Sequence, residues 1–261
     1  MAYASINGQQ IYYEDTGGDG PPVVLAHGFL MDHTMFQSQV DVLRGTYRVV
    51  TWDERGFGLT QFDGNPFTYW DSANDCLALM SHLGIERAVV GGMSQGGFIS
   101  LRAALTAPER ARALILLDTQ AGLEHPDVVA AYQGLMDAWS TMGLSDEIGE
   151  IVAGIIIADP AYNSAWIAKW KTIPKELIVQ PGVCLLQRDD ITARLVEITC
   201  PALVVHGDAD TAISMDNAEE LAAGLVGCGG VVTVGGAHAA SMTNPEPVNA
   251  AILEFLADLP A

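Results

Sequence analysis

The chain has 261 residues, 49% of them hydrophobic, which allows one sizeable core with room for one insertion. The 32 acidic residues outnumber the 12 basic ones and give a formal net charge of -20. Most of the surface therefore repels a phosphate backbone or an anionic lipid surface, and composition argues against nucleic acid or a membrane as partner.

The first predicted elements are the strands of a β-sheet. Alternating residues around Ile6 and from Ile11 to Tyr13 predict a hairpin, and a dense turn sequence follows at residues 17–21. Six later runs are short, apolar and rich in β-branched residues: Val23–Ala26, Tyr47–Trp52, Ala88–Gly91, Ala113–Leu117, Ala202–His206 and Val231–Val234. Continuous apolar runs predict strands buried on both faces. The fold class is therefore α/β, with a largely parallel sheet flanked by crossover helices.

Helices are predicted between these strands from apolar residues at helical spacing. They cover about Met35–Leu43, Tyr69–Leu83, Gln95–Ala107, Asn217–Leu225 and Val248–Leu259.

The interval from Gln120 to about Leu195 departs from this rhythm because it has helical spacing and no clear strand pattern. Pro160, Pro174 and Pro181-Gly182 are predicted to divide it into three or four helices. We therefore predict a helical cap, residues 120–195, inserted between the sixth and seventh strands of a core formed by residues 1–119 and 196–261.

A Gly-x-Ser-x-Gly sequence at residues 92–96 lies between a predicted strand and a predicted helix. This context is typical of a nucleophile elbow, a sharp turn that forces its serine into a strained backbone conformation. Glycines on either side of the serine remove Cβ atoms that would collide. Ser94 is the predicted nucleophile, and a glycine-rich turn with an incidental serine is the alternative.

A serine hydroxyl needs an imidazole to take its proton and a carboxylate to orient that imidazole. Of the six histidines, only His238 follows the last predicted strand, so it is the predicted base. Asp210, in a loop at the carboxyl end of a strand, is the predicted orienting acid. Asp118, at the end of another strand, and Asp208 remain alternatives. Asp208 also fits a role in holding its own turn by backbone hydrogen bonds.

Acyl transfer also needs hydrogen-bond donors directed at the developing oxyanion. We assign the backbone amide of Phe29, in the turn after the first core strand, and that of Gln95, at a helix N-terminus whose dipole favours negative charge. His27 is expected to support this turn by hydrogen bonding.

Neither a metal site nor a disulfide is predicted. The four cysteines are far apart and have no zinc-ligand spacing, which is typical of free thiols. His206, Asp208 and Asp210 could be read as metal ligands, but they share one short loop and no second cluster accompanies them.

The sequence favours a cytoplasmic location. Residues 1–20 have neither a basic start nor an apolar stretch, and no run of eighteen uncharged apolar residues occurs in the chain. We therefore expect neither export nor membrane insertion.

Five short motifs follow the predicted strands: H-G at 27–28, D-E-R-G-F-G at 53–58, G-M-S-Q-G-G at 92–97, G-D-A-D at 207–210 and G-A-H at 236–238. Together they resemble the α/β-hydrolase superfamily over nearly the whole chain, and within it the esterases, enol-lactonases and cofactor-free haloperoxidases with a helical cap. The resemblance implies the α/β-hydrolase fold with an eight-stranded, mostly parallel sheet. Ser94 argues against epoxide hydrolases and haloalkane dehalogenases, because these enzymes use aspartate at the elbow. Gln95 argues against perhydrolysis, because haloperoxidase-like members usually have methionine at that position.

The resemblance implies hydrolysis of carboxylic esters with small or medium acyl groups through an acyl-enzyme on Ser94, with no cofactor. Leu123, Met136, Trp139 and Trp166 of the cap are the candidate substrate-binding residues, although an apolar stripe at helical spacing also fits cap core. A lactonase acting on an N-acyl homoserine lactone or an enol-lactone is the nearest alternative, and a perhydrolase or a ligand receptor comes after it. We expect a small-molecule ester or lactone as partner, and a monomer or homodimer.

Overall fold

A computed structural model describes residues 2–260 of the chain. Eight strands form one sheet: Ala2–Ile6 (β1), Gln9–Asp15 (β2), Pro22–Ala26 (β3), Arg48–Trp52 (β4), Ala88–Met93 (β5), Ala111–Leu117 (β6), Ala202–Gly207 (β7) and Cys228–Val234 (β8). Their order in the sheet is β1-β2-β4-β3-β5-β6-β7-β8. The pairs β1–β2 and β2–β4 are antiparallel and the remaining pairs are parallel. The predicted α/β class and the eight-stranded, mostly parallel sheet are confirmed.

The helices that alternate with the strands are Gln37–Leu43 (α1), Tyr69–His82 (α2), Gln95–Thr106 (α3), Met215–Gly224 (α8), Ala240–Thr243 (α9) and Pro245–Asp258 (α10). Short 3-10 helices cover His33–Phe36, Pro108–Arg110, Lys175–Ile178 and Thr192–Glu197. Across residues 2–260, no helix is both long enough and apolar enough to cross a membrane.

Each core strand contributes side chains to both faces of the sheet, which explains why its sequence is continuously apolar. On β3, Val24 belongs to one apolar cluster and its neighbour Val23 to the other, and Val90 and Val89 divide in the same way on β5. Helices α2, α3 and α8 cover the first cluster, while α1 and α10 cover the second. The central strands are therefore buried on both sides, as the predicted crossover helices require. The prediction is wrong for the edge strand β8, which is largely exposed, with Val232 39% exposed.

Four cap helices lie between β6 and β7: Pro126–Met142 (α4), Asp146–Ile156 (α5), Pro160–Trp170 (α6) and Val179–Leu186 (α7). The insertion of a helical cap at this point is confirmed. Pro160 begins α6 as predicted, but Pro181 and Gly182 lie within α7 instead of separating helices. Proline is tolerated there because amides of the first helical turn have no intrahelical acceptor. The exact domain limits at residues 120 and 195 stay a prediction.

The cap packs on the loop that follows β3. The indole Nε1 of Trp170 donates to the backbone oxygen of Leu30 at 2.6 Å, and Lys169 Nζ lies 2.7 Å from Asp32 Oδ2. Leu30 has a φ of 64°, in the left-handed region that a branched residue rarely adopts. The contact with the cap therefore supports a strained segment one residue after Phe29.

Candidate active site

Ser94 lies at the turn between β5 and α3 with φ 53° and ψ -115°. Its amide donates to Leu117 O of the neighbouring strand at 2.9 Å, and its own carbonyl accepts from Thr119 Oγ1 at 2.7 Å. A positive φ is strained for a non-glycine residue and persists only where the surroundings hold it. These two hydrogen bonds hold Ser94 on both sides.

Gly92 and Gly96 make this turn possible. A Cβ atom on either residue would collide with the backbone oxygen of Ala26, and a backbone atom in a sheet cannot move aside. Strand β3 therefore packs directly against the elbow, and glycine is required two positions before and two positions after Ser94.

The loops after β7 and β8 are joined by three hydrogen bonds. Asp208 N donates to Val234 O and Ala209 N donates to Gly236 O, both at 2.9 Å. The Asp208 carboxylate accepts from Gly236 N at 3.1 Å. We expected Asp208 to hold its own turn, and it binds the neighbouring loop instead. Two loops that are far apart in sequence are thereby fixed against each other.

Asp210 and His238 meet where these loops join. His238 Nδ1 lies 2.8 Å from Asp210 Oδ2, and Asp210 Oδ1 accepts from the amides of Ala212 at 2.8 Å and Ile213 at 3.0 Å. Burial alone would raise the pKa of Asp210, but the charge and hydrogen bond of His238 and the Ile213 amide keep it below the ordinary value. The carboxylate is therefore ionised and faces His238.

Asp118 lies beside this pair but is in a different state. Its Oδ1 accepts from Gly207 N at 2.8 Å, and burial, together with the nearby charge of Asp210, raises its pKa well above the ordinary value. Burial therefore favours the neutral form of the Asp118 carboxyl group, in contrast to Asp210. The alternative that Asp118 is the ionised partner of the histidine has no support in this arrangement.

Asp118, His206 and Asp210 form the group of possible metal ligands within residues 2–260, with one ligand atom from each lying within 4.8 Å of the others. His206 Nε2 donates to Ile213 O at 3.0 Å, and burial lowers the pKa of this imidazole. A cation at this position would compete with His238 for Asp210. The set is therefore a poor metal site while the His238 hydrogen bond is in place.

The Phe29 and Gln95 amides are available for hydrogen bonding. Along residues 2–260, neither amide donates to a backbone carbonyl. Gln95 is the first residue of α3, and Phe29 lines the same cavity as Ser94. Free amides at a helix N-terminus and in an adjacent loop are suited to bind an oxyanion.

His27 connects the loop after β3 to the loop after β4. Its Nδ1 donates to Gly28 O at 2.8 Å, and its Nε2 accepts from Glu54 N at 3.0 Å. Burial lowers the pKa of His27, so the neutral ring that this pattern requires is favoured. The expected role in supporting the loop agrees with these contacts.

One cavity extends from Ser94 and His238 into the cap. Met136 and Trp139, two of the candidate substrate-binding residues, line it. Leu123 and Trp166 lie elsewhere: the Leu123 side chain is 50% exposed, and Trp166 is 6% exposed with Lys169 Nζ 4.0 Å above its ring centre. The other apolar lining residues are Phe29, Leu30, Met93, Phe98, Leu135, Val152, Ile155, Ile156, Ile178, Leu185, Ala212 and Ile213.

Comparisons with known proteins agree with this geometry. A model of the alpha/beta hydrolase fold matches residues 21–142. The chain is 28% identical to a putative non-heme chloroperoxidase of Synechocystis sp. over 94% of each chain, and 26% identical to 3-oxoadipate enol-lactonase 1 of Acinetobacter baylyi over 87% of this chain and 85% of that one. The structure of a thermophilic esterase from Thermogutta terrifontis superposes with a TM-score of 0.89 at 28% identity, covering 100% of this chain and 98% of that chain.

The chain belongs to the α/β-hydrolase superfamily. Membership supports a hydrolase activity and agrees with a nucleophile elbow after the fifth strand.

Two polar residues that sequence reasoning missed, Tyr132 and Glu124, also line the cavity of this α/β hydrolase. Tyr132, Leu135, Met136 and Trp139 lie on one face of α4 at helical spacing, so the same pattern could have identified Tyr132. No sequence pattern identifies Glu124, because it precedes the helix and its position depends on a tertiary contact. Burial, with the nearby charges of Glu124 and Asp210, raises the pKa of Tyr132 to about 12.

Proposed function

We propose that the protein is a serine esterase that cleaves carboxylic esters through an acyl-enzyme on Ser94. The observation that carries the proposal is the hydrogen bond between His238 and Asp210, because it orients an imidazole that lines the same cavity as a serine at a strained elbow. A histidine oriented by an ionised carboxylate is the general base that a serine hydroxyl needs.

The proposed reaction begins with proton transfer. Because His238 Nδ1 donates to Asp210, its Nε2 is the atom left to accept the proton of Ser94 Oγ. The serine oxygen adds to the ester carbonyl, and the oxyanion that forms accepts hydrogen bonds from the Phe29 and Gln95 amides. His238 then gives its proton to the leaving alcohol. In the second half-reaction, a water molecule that transfers a proton to His238 hydrolyses the acyl-enzyme.

The lining of the cavity supports an apolar acyl group of small or medium size. Of its 18 lining residues, four carry ionisable or hydroxyl side chains: Ser94, His238, Glu124 and Tyr132. The others are hydrocarbon, aromatic or thioether side chains, which favour burial of a hydrophobic chain.

A lactonase is the second candidate, because the same apolar cavity suits the acyl part of a lactone and the similar Acinetobacter protein is named an enol-lactonase. Both reactions use the same nucleophile and base. Turnover of linear aryl esters should be compared with that of lactones of matched acyl length. A strong preference for the lactones would replace the esterase proposal.

Labelling with a fluorophosphonate tests the proposed nucleophile without knowledge of the substrate. We expect the wild-type protein and Ser140→Ala to react, since Ser140 lies in the cap and donates to Asp137 O. Ser94→Ala should not react. Labelling of Ser94→Ala at the wild-type rate, or no labelling of wild type, would exclude this mechanism.

A further inference from the structure

Glu124 and Arg188 form a nearly buried ion pair in the cap. Arg188 Nη1 lies 2.6 Å from Glu124 Oε2, and Arg188 Nη2 donates to Glu124 Oε1 at 2.8 Å. The side chains are 2% exposed for Arg188 and 8% exposed for Glu124. The geometry is bidentate, which is the strongest arrangement of this pair and fixes both partners.

Backbone carbonyls accept the other hydrogens of the two Nη atoms, whereas the buried Nε of Arg188 has no hydrogen-bond partner within residues 2–260. Nη1 also donates to Leu185 O at 2.9 Å and Nη2 to Gly122 O at 2.9 Å. The Arg188 Cζ atom lies 4.4 Å from the centre of the Phe98 ring. Arg188 is therefore held by the cap with its charge compensated by Glu124.

The pair forms part of the wall of the substrate cavity. Glu124, Phe98 and Leu185 all contact Arg188, and all three line the cavity, whereas Arg188 lies behind them. A substrate that reaches this wall meets the carboxylate of Glu124, two apolar side chains and no available cation.

We propose that the Glu124–Arg188 pair determines specificity by excluding esters whose acyl chain ends in a carboxylate, so that the site selects uncharged acyl chains. This inference rests on the proposed esterase function. A substrate carboxylate at this wall would lose its hydration and face Glu124, while Arg188, the cation behind this wall, is already paired. An acyl chain that ends in an alkyl group has no charge to desolvate at this wall, and it gains apolar contacts.

Two aryl esters with six-carbon acyl groups test the selection directly: 4-nitrophenyl hexanoate and the mono-4-nitrophenyl ester of adipate. We expect kcat/KM to be about 100-fold or more lower for the adipate ester, since an unpaired buried charge costs several times the thermal energy. Equal kcat/KM for the two esters would overturn the proposal. Failure of both esters, together with no fluorophosphonate labelling, would instead contradict the esterase function itself.

Measurements at different ionic strengths distinguish this local effect from long-range repulsion by the net charge of -20. Repulsion by the whole surface is screened at about 1 M salt, where the Debye length is about 3 Å, whereas a contact inside the cavity is screened much less. We expect the hexanoate preference to persist from about 0.05 M to 1 M salt. Its disappearance at high salt would assign the selection to the surface and overturn our inference.

Glu124→Gln is the decisive variant, because glutamine keeps the shape of the side chain and leaves the charge of Arg188 uncompensated. We expect the preference for hexanoate to fall at least about tenfold, because a substrate carboxylate is then no longer repelled by Glu124 and is attracted by the uncompensated charge of Arg188 behind the wall. Glu150→Gln removes the same charge from an exposed position on α5 and should leave the preference unchanged. If folded Glu124→Gln keeps the wild-type preference, the pair does not determine specificity.

Discussion

The Asp210 carboxylate is held on both sides, with His238 Nδ1 2.8 Å from Oδ2 and the amides of Ala212 and Ile213 on Oδ1. The two amides fix the rotation of the carboxylate and leave Oδ2 facing His238, with His206 Nε2 farther away at 3.5 Å. The orientation of His238 therefore depends on a short loop after β7 whose geometry is set by backbone hydrogen bonds.

Asp210→Asn should reduce kcat by about 10^4-fold with little change in fold, because the amide group can hold the imidazole only in the wrong tautomer. Asparagine retains an oxygen for the Ala212 and Ile213 amides. Hydrolysis of 4-nitrophenyl butyrate measures the effect, with Asp19→Asn as an exposed control. A loss smaller than tenfold would mean that another carboxylate orients His238.

The sequence was sufficient to predict the strands and the elbow, because both follow from local rules. Continuous apolar runs identify buried strands, and Gly-x-Ser-x-Gly between a strand and a helix identifies the turn at Ser94. The choice of Asp210 over Asp118 was harder, since both follow a strand. Contacts in the folded chain distinguish them: Asp118 accepts one amide from the distant Gly207, whereas Asp210 accepts two amides of its own loop and faces the imidazole of His238.

Asp118→Asn should stabilise the protein at neutral pH. Burial raises the pKa of Asp118 above its ordinary 3.8, so above that pH the unfolded chain loses a proton that the folded protein keeps. The folded state then binds more protons, and its stability falls as the pH rises. Asparagine removes this dependence and keeps an oxygen for Gly207 N.

Thermal unfolding at several pH values measures the gain in stability expected for Asp118→Asn. We expect a higher Tm for Asp118→Asn at pH 7, by roughly 2–4 °C for each kcal/mol gained, and a smaller difference below about pH 4. The exposed variant Asp19→Asn should show no such trend. A variant that is less stable than wild type at pH 7 would contradict the assignment of a neutral Asp118.

The lining of the cavity was predicted less well than the catalytic loops. Helical spacing identifies the apolar face of a cap helix, but that face packs partly on other cap helices and partly on the cavity. Trp139 lines the cavity, whereas Trp166, equally apolar and equally helical, lies beneath Lys169. Whether an apolar cap residue lines the cavity or packs within the cap depends on how the cap helices pack together, which no local pattern specifies.

Trp170→Phe should lower kcat about tenfold, because it leaves the carbonyl of Leu30 without its indole donor. A buried carbonyl without a partner costs about 1–3 kcal/mol, and the strained residue it belongs to follows Phe29, whose amide we assign to the oxyanion. Trp166→Phe is the matched control, since its ring stacks under Lys169.

Separate measurement of kcat and KM distinguishes this effect from a general loosening of the cap. A displaced Phe29 amide weakens binding of the transition state and lowers kcat, whereas a looser cap mainly raises KM. If both tryptophan variants change KM alone and to the same extent, the hydrogen bond to Leu30 does not position the loop.

Gly96→Ala tests the packing of the elbow against β3. The new Cβ would collide with the Ala26 backbone oxygen, which belongs to a central strand and cannot yield. We expect a loss of about 3 kcal/mol or more in the free energy of unfolding, measured by urea denaturation. Gly134→Ala is the control, because Gly134 is exposed on α4 with open space around its Cα, and alanine should stabilise that helix by about 0.5–1 kcal/mol. If the two alanine variants change the free energy of unfolding in opposite directions, the requirement for glycine at residue 96 comes from the contact with Ala26. If both changes are small and similar, the elbow tolerates a side chain at this position.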